Sequence, residues 1–349
     1  MTDKSSKSNK VSLAEVARAA GVSKMTASRV LRSDGGYSEK TRSKVMAKVD
    51  QLGYLPNRLA TVFAGDQTST FVGVSIPDLG NEVFAQVLEG IDRKLGSFGY
   101  QTVLGLTQHT KGEEENWIRT VLSWQPAGLI LTGRSHSIRS IEMLRNAGIP
   151  VVEIWDLNSS PLDVSVGINH FDCGFDMGRF LIGLGYRTLG YVGTSHDTAN
   201  AATSRLEGFI KAVEDGGGRV RKQLCLHDTA SFYPGYYGTE QLLASARDVE
   251  CIFYQNDSMA FGGLQYCASK GLDVPGDIGI AGWGDLPIAS VLGRRLTSIH
   301  VSHLKIGQTA AQMLIARLSG EPVKTCNDIG FHLIPGSTVK TAPITNNDV

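Results

Sequence analysis

Residues 12–32 read Ser-Leu-Ala-Glu-Val-Ala-Arg-Ala-Ala-Gly-Val-Ser-Lys-Met-Thr-Ala-Ser-Arg-Val-Leu-Arg. Ser12 and Glu15 have the spacing of a capping box, with the serine bonding the N3 amide and the glutamate reaching back, so a helix begins at Leu13. Gly21 is free to take the left-handed conformation that a tight turn demands, and Ser23 is placed to cap a second helix running to about Arg32. Two short helices joined by a glycine turn make a helix-turn-helix. Ser38 caps a third helix with Val45, Val49 and Leu52 on one face and Gly53 just past its end. With the second helix in a major groove, Lys24, Met25, Thr26, Ser28 and Arg29 project toward bases and phosphates, while Ala27, Val30 and Leu31 face inward. The competing reading is a charged, solvated helix.

Charge works outward from this stretch. The 349 residues carry 34 Lys/Arg and 34 Asp/Glu, a balance that by itself argues against a nucleic-acid ligand. The average conceals a split. Residues 1–65 hold 12 basic against 5 acidic side chains, and the rest hold 22 against 29. A basic head on an acidic body is the asymmetry expected where one end meets phosphate. No apolar run approaches the ~20 residues of a membrane span, and the lysine-rich Met1–Lys10 lacks the apolar core of a secretory signal. A cytoplasmic, nucleoid-associated protein with no membrane contact is expected. Five cysteines without a C-x-x-C pair suit reduced thiols rather than disulfides or zinc.

After the third helix, Pro56-Asn57-Arg-Leu-Ala-Thr-Val-Phe63-Ala-Gly65 encodes a helix of about two turns capped by Asn57, too short to be stable alone. It is expected to fold on DNA, where Phe63 wedges into a minor-groove base step; the alternative is that Phe63 packs on the body.

The run from Val11 to Leu31, with Ser38-Glu-Lys-Thr-Arg42 and Leu52-Gly-Tyr-Leu-Pro-Asn57, resembles the head of the lactose-repressor family, and the resemblance continues through about residue 340. It implies a homodimer on double-stranded operator DNA, with the second helix in the major groove and a hinge helix in the minor groove. Ser12, Ser23, Lys24, Met25, Thr26, Ser28 and Arg29 fall at base and phosphate positions, Asn57 at a hinge phosphate contact. Phe63 stands where the family usually has leucine.

From Thr70 onward, short apolar runs alternate with helix-length amphipathic stretches, the signature of βαβ units. Strands are expected near Phe71–Ile76, Thr102–Leu106, Gly128–Thr132 and Val151–Trp155. A second series, Val164–Asn169, Leu189–Gly193, Cys251–Gln255 and Ile278–Trp283, suggests a second lobe, with the break near Asn158-Ser-Ser-Pro161. The fold class is thus α/β: an all-α head over 1–57, a hinge helix and linker over 58–69, and two doubly wound parallel-sheet lobes over 70–340, similar to periplasmic binding proteins.

Ligands of open α/β sheets bind beyond the carboxyl ends of the strands, so the cleft between the lobes is the candidate site. Phe84, Arg134, Trp155, Asp156, Asn169, Arg205, Asp257, Trp283 and Asp285 follow strands and supply what a polyol acid requires: hydroxyl acceptors, aromatic cover and cations. The rival readings are that Asp156, Asp257 and Asp285 cap helices, that the tryptophans pack the lobes, and that Arg134 is a surface arginine. The resemblance implies effector positions at Arg205 and Asp257, and also at Phe84, Asn169 and Phe232. Lys24-Met-Thr26 and Val151-Val-Glu-Ile154 are similar to the gluconate-repressor subgroup, which points to a sugar acid such as gluconate with Arg134 as a second cation. A neutral sugar or nucleoside is the alternative effector. An enzyme reading finds no dinucleotide or phosphate loop, and neither Ser195-His196-Asp197 nor His300-Val-Ser-His303 forms a convincing triad or metal site. No cofactor is expected.

Overall fold

The structure, a computed structural model, describes residues 11–32, 35–55, 69–157, 160–195, 200–228, 230–290 and 293–341. Asn57, Phe63 and the hinge helix expected around them lie outside the described residues. The chain divides into two units, Met1–Thr68 and Ser69–Val349.

The first unit holds helices α1 (Leu13–Ala20), α2 (Lys24–Arg32) and α3 (Glu39–Leu52). The capping box is closed: Ser12 Oγ accepts from the Glu15 amide at 3.4 Å and Glu15 Oε2 accepts from the Ser12 amide at 2.7 Å. Gly21 and Gly53 both sit in the left-handed region, at φ 65° and 62°. Ser23 and Ser38 accept from the Thr26 and Thr41 amides at 3.0 and 3.2 Å. Val16, Ala17, Ala20, Ala27, Val30, Val45 and Val49 form the core, whose small residues let three short helices approach closely.

The second unit contains two parallel sheets. In the first lobe they are β1 (Phe71–Ile76), β2 (Gln101–Leu106), β3 (Gly128–Thr132), β4 (Val151–Asp156), β5 (Val164–Ile168) and a late strand, β11 (Cys326–Asp328), in the order β11-β5-β4-β3-β1-β2. Helices α4 (Glu82–Gly96), α5 (Lys111–Leu122) and α6 (Ile138–Ala147) connect them. Alternate residues of β3 serve opposite faces: Ile130 joins the core that includes Val87 and Ile91 of α4, whereas Leu129 and Leu131 join Ile118 and Val121 of α5.

The second lobe has β6 (Thr188–Thr194), β7 (Arg219–Leu226), β8 (Cys251–Tyr254) and β9 (Gly279–Ala281), in the order β7-β6-β8-β9. It is flanked by α7 (His170–Gly183) and α8 (Asn200–Asp215) on one face and by α9 (Phe232–Ser245) and α10 (Asp257–Lys270) on the other. A small antiparallel pair, β10 (Ser298–His300) and β12 (His332–Ile334), follows from the crossings described next.

The expected lobe boundary is corrected. Val164–Ile168 does not open the second lobe; β5 pairs in parallel with β4, Val152 opposite Val164 and Asp156 opposite Ile168. Parallel neighbours normally need a dozen or more connecting residues, so the short segment after Asp156 reads in sequence as a domain break. The chain leaves the first lobe only after Ile168. It returns after His300 as α11 (His303–Leu318) and β11, then ends against the second lobe, where the Ser337 and Ile280 amides donate to Arg295 and Thr338 carbonyls.

Helix α11 is clamped onto α4 at two reciprocal glycines. A Cβ on Gly307 would collide with the Val87 carbonyl oxygen, and one on Gly90 with the Leu304 carbonyl oxygen. Gly307→Val therefore drives the two helices apart. It should lower the stability of the second unit by about 1–3 kcal/mol, read as a lower urea midpoint of the second unit.

Candidate functional site

On the first unit, α2 presents Lys24, Met25 and Arg29 to solvent, with Met25 67% exposed, while Ala27 and Val30 are buried. Thr26 and Ser28 are half-buried between these faces. Ser23 and Thr26 hydroxyls share a 2.8 Å hydrogen bond. An exposed apolar methionine between cations suits contact with a base edge better than a purely solvated face.

In the second unit, a cavity of about 280 Å³ opens at the carboxyl ends of the parallel strands of both lobes. The first lobe contributes Asp78 and Phe84 after β1, His109 and Glu114 after β2, Arg134 after β3, and Trp155 and Asp156 at the end of β4. The second contributes Thr194 at the end of β6, Arg205 on α8, Ser231 before α9, Gln255 and Asn256 after β8, and Trp283 after β9. Of the expected residues, Phe84, Arg134, Asp156 and Arg205 thus line one cavity, with both tryptophans.

Four do not reach the wall. Asn169 is exposed and caps α7, its side-chain oxygen accepting from the Asp172 amide at 3.3 Å. Phe232 starts α9 and packs edge-on against Tyr233. Asp257 is not the cap of α10, a role taken by Asn256, which accepts from the Met259 amide at 2.9 Å. Its buried carboxylate accepts instead from the Leu286 amide at 2.8 Å and from Ser298 Oγ at 2.6 Å, bracing the segment that crosses back toward the first lobe. Asp285 pairs with His300 at 2.9 Å rather than entering the cavity.

Arg205 is the centre of the site. Its guanidinium is buried and lies 4.0 Å from the Trp283 ring centroid. Nη1 donates to His170 Nδ1 at 2.8 Å and Nη2 to the Gln255 carbonyl at 3.0 Å, while Nε has no partner. Among the described residues no carboxylate forms an ion pair with it, and burial pushes its pKa down. The backbone beneath it is fixed by close packing, since a Cβ on Gly174 would strike the Arg205 carbonyl.

Arg134, by contrast, is already compensated. Its Nε lies 2.9 Å from Asp156 Oδ2, an ion pair without the alignment of a hydrogen bond, so that oxygen keeps its accepting capacity. Burial raises the Asp156 pKa against the pull of Arg134 and Arg205. Arg134 therefore stands on the cavity wall beside Arg205 as expected, but as one half of an ion pair with Asp156.

Sequence reading missed the loop after β2. Gln108 and His109 both have positive φ, 48° and 58°, and this turn sets His109 Nε2 2.7 Å from Asp78 Oδ2. That hydrogen bond holds the Asp78 carboxyl below its usual range. The rule that site residues follow strands would have found this loop at the end of Thr102–Leu106. It also missed the buried His136, whose Nδ1 lies 2.9 Å from Glu114 Oε2 and whose Nε2 lies 3.4 Å from Glu153 Oε1; partners so far apart in sequence leave no spacing signal.

Two family patterns match the chain: bacterial regulatory proteins of the lacI family over residues 12–57, and a periplasmic binding protein-like domain over residues 179–339. The HTH-type transcriptional regulator GntR of Escherichia coli (strain K12) is 36% identical over 328 residues, covering 94% of this chain and 98% of its own length. A crystal structure of a lacI-family transcriptional regulator from Silicibacter pomeroyi superposes with a TM-score of 0.89 at 36% identity, covering 95% of this chain and 100% of that one. The lac repressor dimer bound to operator and the anti-inducer ONPF superposes at 0.81 with 25% identity, over 95% of this chain and all of that one.

The buried acid–base–acid cluster gives the second unit a pH signature. Burial alone would depress His136, but the hydrogen bonds and charges of Glu114 and Glu153 outweigh it and hold its pKa at about 9. Its folded pKa exceeds its unfolded one, so its stabilisation is complete below about pH 6.5 and is lost as pH rises through 9. Asp257, raised by burial to about 7, shifts stability in the same direction but only below pH 7. Between pH 7 and 9 this His136 contribution to the urea stability of the second unit should fall by about 2 kcal/mol, on top of the smaller loss from the buried thiols of Cys173, Cys251 and Cys267, whose pKa burial raises. His136→Gln should be less stable at pH 7 and should lose about 2 kcal/mol less than wild type across that window.

Proposed function

We propose, from the fact that this chain belongs to the lacI family of bacterial regulatory proteins, that it represses genes of sugar-acid catabolism under the control of gluconate or a close relative held between its lobes. Membership makes it a DNA-binding transcriptional regulator; its relatives are regulators rather than enzymes. The likeness to GntR supports a sugar acid.

The observation that carries the effector reading is Arg205. A buried guanidinium without a carboxylate partner is costly; two of its five N–H groups are bonded to protein, Nε has no partner, and the side chain lines the cavity. An anionic ligand relieves that cost. The Arg134–Asp156 ion pair lines the cavity and brings a carboxyl acceptor for a ligand hydroxyl, and Phe84, Trp155 and Trp283 cover C–H faces. The cavity, near the small end of ligand sites, suits a six-carbon acid.

The regulator works as a homodimer on a two-part operator. Lys24, Met25, Thr26, Ser28 and Arg29, helped by Ser12 and Ser23, read the major groove, Asn57 meets phosphate, and Phe63 enters the minor groove. Effector in the cleft favours one lobe orientation and operator favours the other. The coupling is reciprocal, typically ~1–3 kcal/mol.

Arg205→Ala should keep operator affinity but bind gluconate about 100-fold more weakly and lose the response. Arg29→Ala should do the reverse, failing on operator while binding gluconate normally. Fluorescence anisotropy on operator, paired with calorimetry of gluconate, its 6-phosphate and glucose, checks both. Tighter binding of glucose than of either acid overturns the sugar-acid reading.

A further inference from the structure

We propose that His170 is the positioning residue of the effector site, setting the Arg205 guanidinium toward the ligand and tying it to the strained end of β4 in the other lobe. This rests on the reading of Arg205 as the ligand's cation partner.

The imidazole is buried and joins Arg205 of α8 to the end of β4. His170 Nδ1 accepts from Arg205 Nη1 at 2.8 Å, and Nε2 lies 3.0 Å from the Trp155 carbonyl oxygen. An arginine has no acceptor, so Nδ1 must carry the lone pair and Nε2 the proton. One neutral tautomer satisfies both bonds. Burial first, then the Arg205 charge, hold the ring neutral, with Arg134 and His303 acting in the same direction against the Trp155 carbonyl.

The other end of this bridge is an unusual backbone. Trp155 has φ 92°, a region that a bulky side chain occupies only when its surroundings fix it. Its ring packs on Phe84, 5.0 Å between centroids, and stacks on His303 at 5.5 Å, while Gly167 leaves room for its carbonyl. Trp155 and the adjacent Asp156 line the cavity from the first lobe, and Arg205 lines it from the second. A guanidinium held by one bond to His170 and one to the Gln255 carbonyl has a fixed rotation, with Nε and the second N–H of each Nη left as donors. Removing the imidazole frees the guanidinium to rotate and releases the peptide that orients Asp156.

The spacing between the two nitrogens of imidazole is nearly that between the oxygen and nitrogen of a carboxamide. His170→Gln can therefore keep both bonds, and His170→Leu keeps neither. In the full-length protein, His170→Leu should bind gluconate about 10- to 100-fold more weakly, and His170→Gln within about 3-fold of wild type, with both melting as cooperatively as wild type. Combined with Arg205→Lys, His170→Leu should cost little further affinity. If His170→Leu does not fold, His170→Asn, too short to span both partners, replaces it. Arg205 Nε–H exchange with water, followed in ligand-free protein labelled with ¹⁵N-arginine, should speed up about 10-fold in His170→Leu and not in His170→Gln. That measurement needs no gluconate. Failure of wild type to bind gluconate overturns the effector reading alone, whereas wild-type exchange in His170→Leu, or equal losses in the Leu and Gln variants, overturns the positioning role.

Discussion

A buried positive charge without a carboxylate partner is the constraint around which the second unit is organised. Arg205 is held by a histidine nitrogen, a backbone carbonyl and an indole face, and none of the three neutralises it. Interior dielectric makes such a charge expensive, so the arrangement persists only because surrounding packing leaves the side chain nowhere else to go. Helices α7 and α8 approach so closely at Gly174 that the Arg205 backbone cannot shift. A charge held in this way is one that an anion in the cleft would neutralise.

The neighbours of Arg205 lie where the chain crosses between lobes. Trp155 ends β4, Trp283 follows β9, and His303 begins α11; their rings sit within 5.9 Å of one another, centroid to centroid. Asp257, through Ser298 and the Leu286 amide, fixes the second-lobe side of the same crossing. Buried His303, its pKa depressed to about 3 by desolvation and by His300 and Arg205, stays neutral against the Trp155 ring. A ligand that contacts Arg205 and Asp156 together therefore touches both sides of the pivot, which gives lobe orientation a direct dependence on occupancy.

Much of this was legible in the sequence where the signal is local. Ser12, Gly21, Ser23, Ser38 and Gly53 each do at one position what their chemistry dictates, and the head follows from them. Strands β1, β3 and β4 announce themselves as short apolar runs because both faces of the sheet are covered, whereas the edge strand β2 carries the same kind of run while largely exposed. The misreading of Val164–Ile168 arose because strand pairing is not a local property: the run is equally apolar whichever sheet it joins, and its connection is shorter than a parallel crossover normally allows. β7, an edge strand with an exposed, alternating pattern, and the three-residue β10, β11 and β12 carry too little hydrophobicity to be seen.

The site shows the same division. Rules about strand ends recover Phe84, Arg134, Asp156 and Arg205, but they cannot tell a residue aimed into the cleft from one spent on the scaffold. Asn169 and Asp257 have the right chemistry at the right places and are consumed by a helix cap and a crossing strand. The converse holds for Arg134, which faces the cavity yet is cancelled by Asp156. Arg205 is then the cation of the cavity wall that has no carboxylate partner among the described residues, with the Asp78 and Glu114 carboxyls on the same wall. An anion placed against Arg205 would have Asp78 and Asp156 as neighbours, so each further negative charge on it would meet repulsion rather than a steric limit.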